Sequence, residues 1–311
     1  MFVEESVTDQ PGAPAGHRGG SRRRRHHDHE RRRRTSPRWW RTLKSTPALA
    51  LVALGIVVAW TLVCLFGPQI APFDPLRLSG ATLVAPGPHH LFGTDELGRD
   101  AFSRVIWGAR VTIPYSVLVV ILSVAVGMVI GGVAGYFGGW IDGVLMRVVD
   151  FFFAFPAIIL AMVIAAALGP SLQNAVIAIV VVSWPTYARV VRSLVLSAMH
   201  SDFVMVARLL GPSTIRAMAV DVLPNVLGPM VVYATLGLGD AMLTLAGLSF
   251  LGLGAQAPTA EWGSMISGAE QYYDKWWLAL FPGLAIVSVV FALNILGDRL
   301  RDLLDPRLES S

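Results

Sequence analysis

Residues 202–225 read DFVMVARLLGPSTIRAMAVDVLPN and lie between two apolar runs long enough to cross a membrane. The stretch predicts a short helix, a break at Gly211-Pro212, and a second helix that ends before the Leu-Pro-Asn sequence at 223–225. Glycine adopts the left-handed backbone that ends a helix at low cost, and proline prevents the helix from continuing. At a membrane surface, such an element would form a rigid lever between the two membrane segments.

The composition of the whole chain points to a membrane protein. Of its 311 residues, 54% are hydrophobic and only 15% are charged, which excludes an ordinary soluble domain. Twelve of the 25 Lys and Arg residues precede Thr46, so the net charge of +4 belongs to the N-terminal tail. We interpret residues 1–46 as a disordered, Arg-rich cytoplasmic tail that anchors topology, with contact to anionic membrane lipid as an addition. Nucleic-acid binding is the alternative that we do not favour.

Six apolar segments approach the roughly 20 residues that a helix needs to span a bilayer. An even number of spans places both termini on one side, and the Arg-rich tail makes that side cytoplasmic. We therefore predict an all-α membrane protein with six transmembrane helices and both termini in the cytoplasm. The predicted spans are Ala48–Phe66, Val111–Val133, Val148–Leu168, Ser171–Ala188, Val226–Leu253 and Trp276–Leu296.

This topology divides the chain into four parts. After the tail, residues 47–111 hold the first transmembrane helix and an external segment. Residues 112–298 form a five-helix core that includes the cytoplasmic loop 202–225, and residues 299–311 form a cytoplasmic C-terminal tail. The fourth span is expected to continue as an amphipathic helix past Arg189 and Arg192.

The loop 202–225 resembles the coupling loop of ABC importer permeases, which docks into a cleft of the ATPase subunit. Its Ala, its Gly and the closing Leu-Pro-Asn carry the resemblance, whereas Met205 and Asp221 depart from the family pattern. The simpler alternative is an amphipathic helix lying at the interface. The resemblance implies that these residues contact the ATPase: Asp202, Phe203, Ala207, Arg208, Gly211, Leu223, Pro224 and Asn225.

Four further stretches resemble the permeases of dipeptide and oligopeptide importers, which have the type I ABC importer permease fold. The resemblance implies a second homologous permease, two ATP-binding subunits, an extracytoplasmic substrate-binding protein and a peptide substrate in the bacterial plasma membrane. Nickel or another small solute is the nearest alternative cargo. The stretches are IAPFDP (70–75), HLFGTDELGRD (90–100), LSFLGLGAQAPTAEWG (248–263) and LGDRLRDLLDPR (296–307).

Missing motifs bear on the energy source. The chain has no phosphate-binding G-x-x-x-x-G-K-[ST] loop, no Cys/His metal cluster and no nucleophile elbow. We therefore expect no catalysis, cofactor or metal in this chain, and expect partner subunits to bind ATP and Mg. An ion-coupled secondary transporter is the alternative from another class.

Two further sets of charged residues are candidate sites. Asp95, Arg99, Asp100 and Arg104 predict an external turn tied by exposed charge pairs, each contributing about 0.2–1 kcal/mol, which shapes the pathway entrance. A purely structural role is the alternative. Asp240 is the one ionisable residue in the middle of a predicted span, so we expect it to face the translocation cavity and contact a polar or cationic part of the substrate. A hydrogen-bonded Asp between helices is equally compatible with the sequence.

Overall fold

The computed structural model describes residues 47–199 and 223–304 of the chain. This part is helical, and its only β pairing is a single bridge between Thr94 and Asp100. Five of its helices are long and apolar enough to cross a membrane, and a bent pair makes a sixth span if counted as one. The helices are α1 (Pro47–Ile70), α2 (Ala101–Phe137), α3 (Gly139–Phe153), α4 (Ala157–Leu168), α5 (Leu172–Met199), α6 (Leu223–Phe250), α7 (Trp262–Gly268) and α8 (Trp277–Leu304).

Most predicted spans are confirmed, with longer helices than hydropathy indicated. Helix α2 begins at Ala101 rather than Val111, because Asp100 caps its first turn. Helix α5 continues past its two arginines to Met199, as expected for its amphipathic second half. Helix α8 continues to Leu304, so its last turns contain arginine as well as apolar residues.

The third predicted span is wrong as a single helix over Val148–Leu168. Helix α3 ends at Phe153, α4 starts at Ala157, and the two helix axes differ by 87°. Pro156 explains the break, because it lacks an N–H group and disfavours helical backbone at the preceding residue. Hydropathy does not reveal the bend, since the residues around it are apolar.

Helices α2 and α5 form the most extensive helix pair, and they run parallel. Gly127 of α2 faces Tyr187 of α5, and two turns later Gly135 faces Val195. A Cβ built at Gly131 would lie 2.3 Å from the carbonyl oxygen of Ala188, so only glycine fits there. These small residues allow the close backbone approach that membrane helices use for packing.

The remaining helices surround this pair. Helix α8 packs against α6 and α1, and the short α7 lies among α2, α6 and α8. Trp262 of α7 is fully buried and donates a 2.9 Å hydrogen bond from Nε1 to the carbonyl of Val105. We call the end of the bundle that holds segments 71–100 and 251–276 the loop end, and the other the opposite end.

Candidate functional site

Asp240 lies on α6 about 15 Å from the helix end at Phe250, at the usual helical rise, and thus near the middle of the span. It is exposed in the single chain, and no side chain in the described part of the molecule hydrogen-bonds its carboxylate. A carboxylate at this depth is costly against lipid. It therefore has to face water or another subunit, which excludes the simple interhelical hydrogen bond among the described residues.

A cavity of about 290 Å³ lies beside this carboxylate, between α2, α4, α5 and α6. Its wall mixes aliphatic side chains with hydroxyl groups, and Asp240 is the only charged residue described there. The bend between α3 and α4 borders it through Ala157. The polar residues of the wall are Ser123, Ser183, Thr186, Tyr187, Tyr233, Asp240 and Thr244.

Two hydroxyl groups of this wall have distinctive surroundings. Ser123 is completely buried, and its Oγ has no hydrogen-bond partner among the described residues. Tyr187 is also buried, and its hydroxyl rests in a notch at Gly237, one turn before Asp240, where a Cβ would lie 2.0 Å from the oxygen. A buried, unpaired hydroxyl is unfavourable unless water or a solute satisfies it. The cavity is thus built for a polar occupant.

The structure places Asp240 on a cavity. That this cavity is the translocation pathway, and that Asp240 contacts the substrate there, both stay predictions. The hydroxyl residues of α2 and α5 were not identified from the sequence. Serine, threonine and tyrosine are common in membrane helices, and only the helix-to-helix register shows which of them converge. The spacing of Gly127, Gly131 and Gly135 was the one feature of the sequence that indicated which face of α2 packs against another helix.

The charged residues at the loop end form a buried cluster, which corrects the expectation of exposed pairs. Asp95 and Arg99 are each 7% exposed and Arg104 is 6% exposed. Arg99 donates to the Asp95 carboxylate over 2.6 Å from Nε, and Arg104 Nε lies 3.5 Å from the same carboxylate oxygen. Asp95 is therefore the shared counter-charge of two buried guanidinium groups, and Arg99 also donates from Nη2 to the Glu96 carboxylate over 3.1 Å. Residues 75–84 fold back onto this turn, where Ser79 N–H donates to the Gly98 carbonyl and Leu83 N–H donates to the Asp95 carbonyl, which composition alone could not indicate.

Asp100 has a different role from the one in the predicted charge pairs. Its carboxylate accepts hydrogen bonds from the backbone N–H and the hydroxyl of Ser103, and so caps α2. His90 Nδ1 lies 2.8 Å from the other carboxylate oxygen. Asp100 consequently fixes the start of α2. The assignment of Asp95, Arg99, Asp100 and Arg104 to the entrance of the pathway remains a prediction.

Glu261 is a buried carboxylate that we did not identify from the sequence. It caps α7 by accepting from the N–H groups of Gly263 and Ser264, and it accepts from the Thr112 hydroxyl over 3.1 Å. The residue is fully buried, so it ties α7 firmly to α2. An acidic residue directly before a short helix is a capping signal that could have indicated it.

Most of the predicted coupling loop lies outside the described residues, including Asp202, Phe203, Ala207, Arg208 and Gly211. Leu223, Pro224 and Asn225 form the first turn of α6 and are exposed. Leu194 of α5, Pro229 of α6 and Leu304 of α8 line one cavity of about 280 Å³ at the opposite end. The end of α5 and the start of α6, which flank this part of the sequence, therefore lie at the opposite end of the bundle.

Metal ligands are not assembled anywhere in segments 47–199 and 223–304. No group of three or more His, Cys, Asp or Glu residues there is placed to hold a metal ion. The intramembrane cavity offers one carboxylate and several hydroxyls, which suits water or an organic polar group better than a dehydrated metal.

Membrane-length helices around a polar intramembrane cavity define a multi-pass membrane protein of the transporter class. Residues 127–310 match the family described as the binding-protein-dependent transport system inner membrane component, and residues 38–86 match the N-terminal transmembrane domain of oligopeptide transport permease C. The chain belongs to this binding-protein-dependent permease family and is a multi-pass protein of the bacterial plasma membrane.

Several curated proteins are similar over nearly their whole length. The dipeptide transport system permease protein DppC of Escherichia coli K12 is 44% identical over 268 residues, covering 84% of this chain and 89% of DppC. The protein of the same name from Alkalihalophilus pseudofirmus is 44% identical over 264 residues, covering 84% and 87%. The di/tripeptide permease DppC of Pseudomonas aeruginosa is 42% identical over 255 residues, covering 79% and 84%.

Proposed function

We propose that this chain is the permease subunit of an ATP-driven importer of dipeptides or short oligopeptides. The observation that carries the proposal is the 44% identity to dipeptide permeases over 84% of the chain. The names of these relatives favour peptide over nickel as the cargo. The chain itself performs no covalent chemistry and binds no cofactor.

In this proposal the chain works in a complex. A second, homologous permease completes the pathway, two ATP-binding subunits bind ATP and Mg, and an extracytoplasmic binding protein delivers the peptide. Both termini and the loop 202–225 face the cytoplasm, and the loop end of the bundle faces outward. The concentration of Lys and Arg before Thr46 supports this orientation.

The helices at either side of the coupling loop explain how ATP would act on the pathway. Helix α5 leads into the loop and α6 leaves it, and both line the polar cavity, through Tyr187 and Asp240 respectively. A movement of the loop driven by ATPase closure would therefore reach both cavity walls directly. The ATP-bound subunits need only bind one arrangement of these helices more tightly than the other to shift the population toward it.

The test is transport by a reconstituted complex. The chain is co-expressed with a homologous permease, ATPase subunits and a binding protein from its own organism, and the purified complex is placed in proteoliposomes. We expect uptake of radiolabelled Ala-Ala that requires ATP and the binding protein. Uptake of nickel but not peptide would contradict the cargo, and peptide uptake that persists with inactivated ATPases would favour an ion-coupled transporter.

A further inference from the structure

We propose that Asp240 and the hydroxyl groups around it form an intramembrane subsite for a primary ammonium group of the transported solute. The inference rests on the proposed function, because it treats the cavity as part of the transport pathway. It adds a chemical preference within the membrane to whatever selection the binding protein makes. The subsite consists of Ser123, Ser183, Tyr187, Asp240 and Thr244.

Asp240 carries the single described charge on the cavity wall, and no lysine, arginine or histidine lines the cavity to neutralise it. In a low-dielectric span an unpaired carboxylate is unfavourable, and a cation that comes within contact distance relieves the cost. The cavity therefore attracts positively charged groups and disfavours anions.

An ammonium group has three N–H donors and no acceptor, so it needs a carboxylate and further oxygen atoms around it. The unpaired Oγ of Ser123 offers such an oxygen, and it is completely buried. Thr244 lines the same wall one turn after Asp240, and its own hydroxyl donates to the Asp240 carbonyl over 2.8 Å.

The cavity of about 290 Å³ within this chain is near the lower limit of small-molecule pockets. It holds an amino terminus with its first side chain, and in the complex the second permease would add to it. A transition-metal cation needs more ligands than one carboxylate, and the described residues supply no cluster of three.

The test compares two peptides and three variants in the reconstituted complex, with ATP hydrolysis recorded in the same vesicles. The peptides are Ala-Ala and N-acetyl-Ala-Ala, each saturating for the wild type. In Asp240→Asn, Ala-Ala uptake per ATP should fall about tenfold or more, the loss expected for a charged hydrogen bond. Uptake of N-acetyl-Ala-Ala per ATP should be the same in Asp240→Asn as in the wild type, because this peptide has no ammonium group. Thr235→Val, which removes a hydroxyl bonded to the Val231 carbonyl on the same helix but outside the cavity wall, should change uptake of either peptide less than about twofold, since it removes a local bond only.

A relocated carboxylate separates a charge effect from a structural one. The double variant Asp240→Asn with Thr244→Asp returns a carboxylate to the same wall and should restore at least half of Ala-Ala uptake per ATP. Asp240→Ser replaces Asp240→Asn where the latter does not assemble. If the wild-type complex does not transport N-acetyl-Ala-Ala, the double variant provides the test. Failure of the double variant to restore Ala-Ala uptake overturns the subsite.

The outcomes distinguish the subsite from the transport function. Equal losses for both peptides in Asp240→Asn, or full Ala-Ala uptake in that variant, overturn the subsite and leave the importer intact. Absence of ATP-dependent Ala-Ala uptake by the wild type overturns the proposed function itself. Binding-protein-stimulated ATP hydrolysis in each variant verifies that its complex is assembled.

Discussion

Arg192 of α5 and Asp142 of α3 form a two-point ion pair across the opposite end of the bundle. Arg192 Nη2 donates to Asp142 Oδ2 over 2.5 Å, and Nε donates to the other carboxylate oxygen. Both side chains are partly buried, at 31% and 18% exposed. The pair joins the helix before the bend to the helix that leads toward the coupling loop, so the two helices should move together.

The first prediction follows from this pair. Arg192→Gln should lower the stability of the complex and slow uptake, and exchanging the charges with Asp142→Arg and Arg192→Asp should recover part of both. A double-mutant cycle on the thermal unfolding of the complex should give a coupling of about 1 kcal/mol between the two residues.

The matched control for that cycle is the neighbouring pair of Arg189 and Asp150. Their contact is 2.7 Å, but the side chains are 51% and 57% exposed, so screening by solvent should leave a coupling below about 0.5 kcal/mol. Equal coupling energies for the two pairs would show that partial burial does not strengthen the ion pair of Asp142 and Arg192, which would contradict the prediction.

The second prediction concerns the close packing of α2 on α5. Gly131→Ala should destabilise the protein, because the added Cβ would lie 2.3 Å from the Ala188 carbonyl oxygen and force the helices apart. Overpacking of this kind costs about 1–3 kcal/mol, more than the helix propensity that alanine adds. The measurement is the thermal unfolding midpoint of the purified permease.

Gly143 on α3 is the control for this substitution. It is exposed, and a Cβ there meets no atom within 4 Å. Gly143→Ala should therefore leave the midpoint unchanged or raise it slightly. A midpoint that is unchanged in Gly131→Ala would mean that α2 and α5 are less closely packed in the membrane.

Hydropathy was sufficient for most of the helices because a membrane span has to be long and apolar throughout. It could not show the 87° bend, since the residues around Pro156 are as apolar as the helices that they separate. The same limit applies to the polar cavity. Asp240 was identifiable because an ionisable residue within a span is unusual, whereas Ser123 is an ordinary membrane-helix residue until packing places it.

Burial of the charge cluster at the loop end was also beyond the sequence. A turn rich in Asp, Glu and Arg is normally solvated, and nothing in its composition shows that residues 75–84 cover it. The structure reveals the difference, because Arg104 also reaches the carbonyl of Pro75 over 3.3 Å. Contacts between segments distant in sequence determine which charges are shielded from water.

The third prediction tests that burial. Asp95→Asn removes the shared counter-charge of Arg99 and Arg104, so that within the described part of the chain Arg104 keeps no contacting carboxylate and Arg99 keeps only Glu96. Breaking a buried ion pair in this way costs about 3–5 kcal/mol, so the thermal unfolding midpoint should fall by many degrees. Asp74→Asn is the control, because Asp74 is exposed and its bond from the Leu76 N–H can be kept by an amide oxygen. Similar midpoints for the two variants would contradict a structural role for the cluster.

The last prediction concerns the coupling loop, whose function rests on its sequence and its place between α5 and α6. Gly211→Trp should prevent the ATPase subunits from co-purifying with the permease, because a large side chain at the helix break that the sequence predicts would block entry of the loop into the ATPase cleft. Membrane insertion should be unaffected, since the spans are unchanged.

Gly87→Trp supplies the control: Gly87 lies at the loop end, where a Cβ would have only the Ala85 carbonyl oxygen nearby, at 3.8 Å. That variant should retain its ATPase subunits. If Gly211→Trp kept both an intact complex and normal uptake, residues 202–225 would not be the coupling element, and ATP-driven motion would have to reach the cavity by another route.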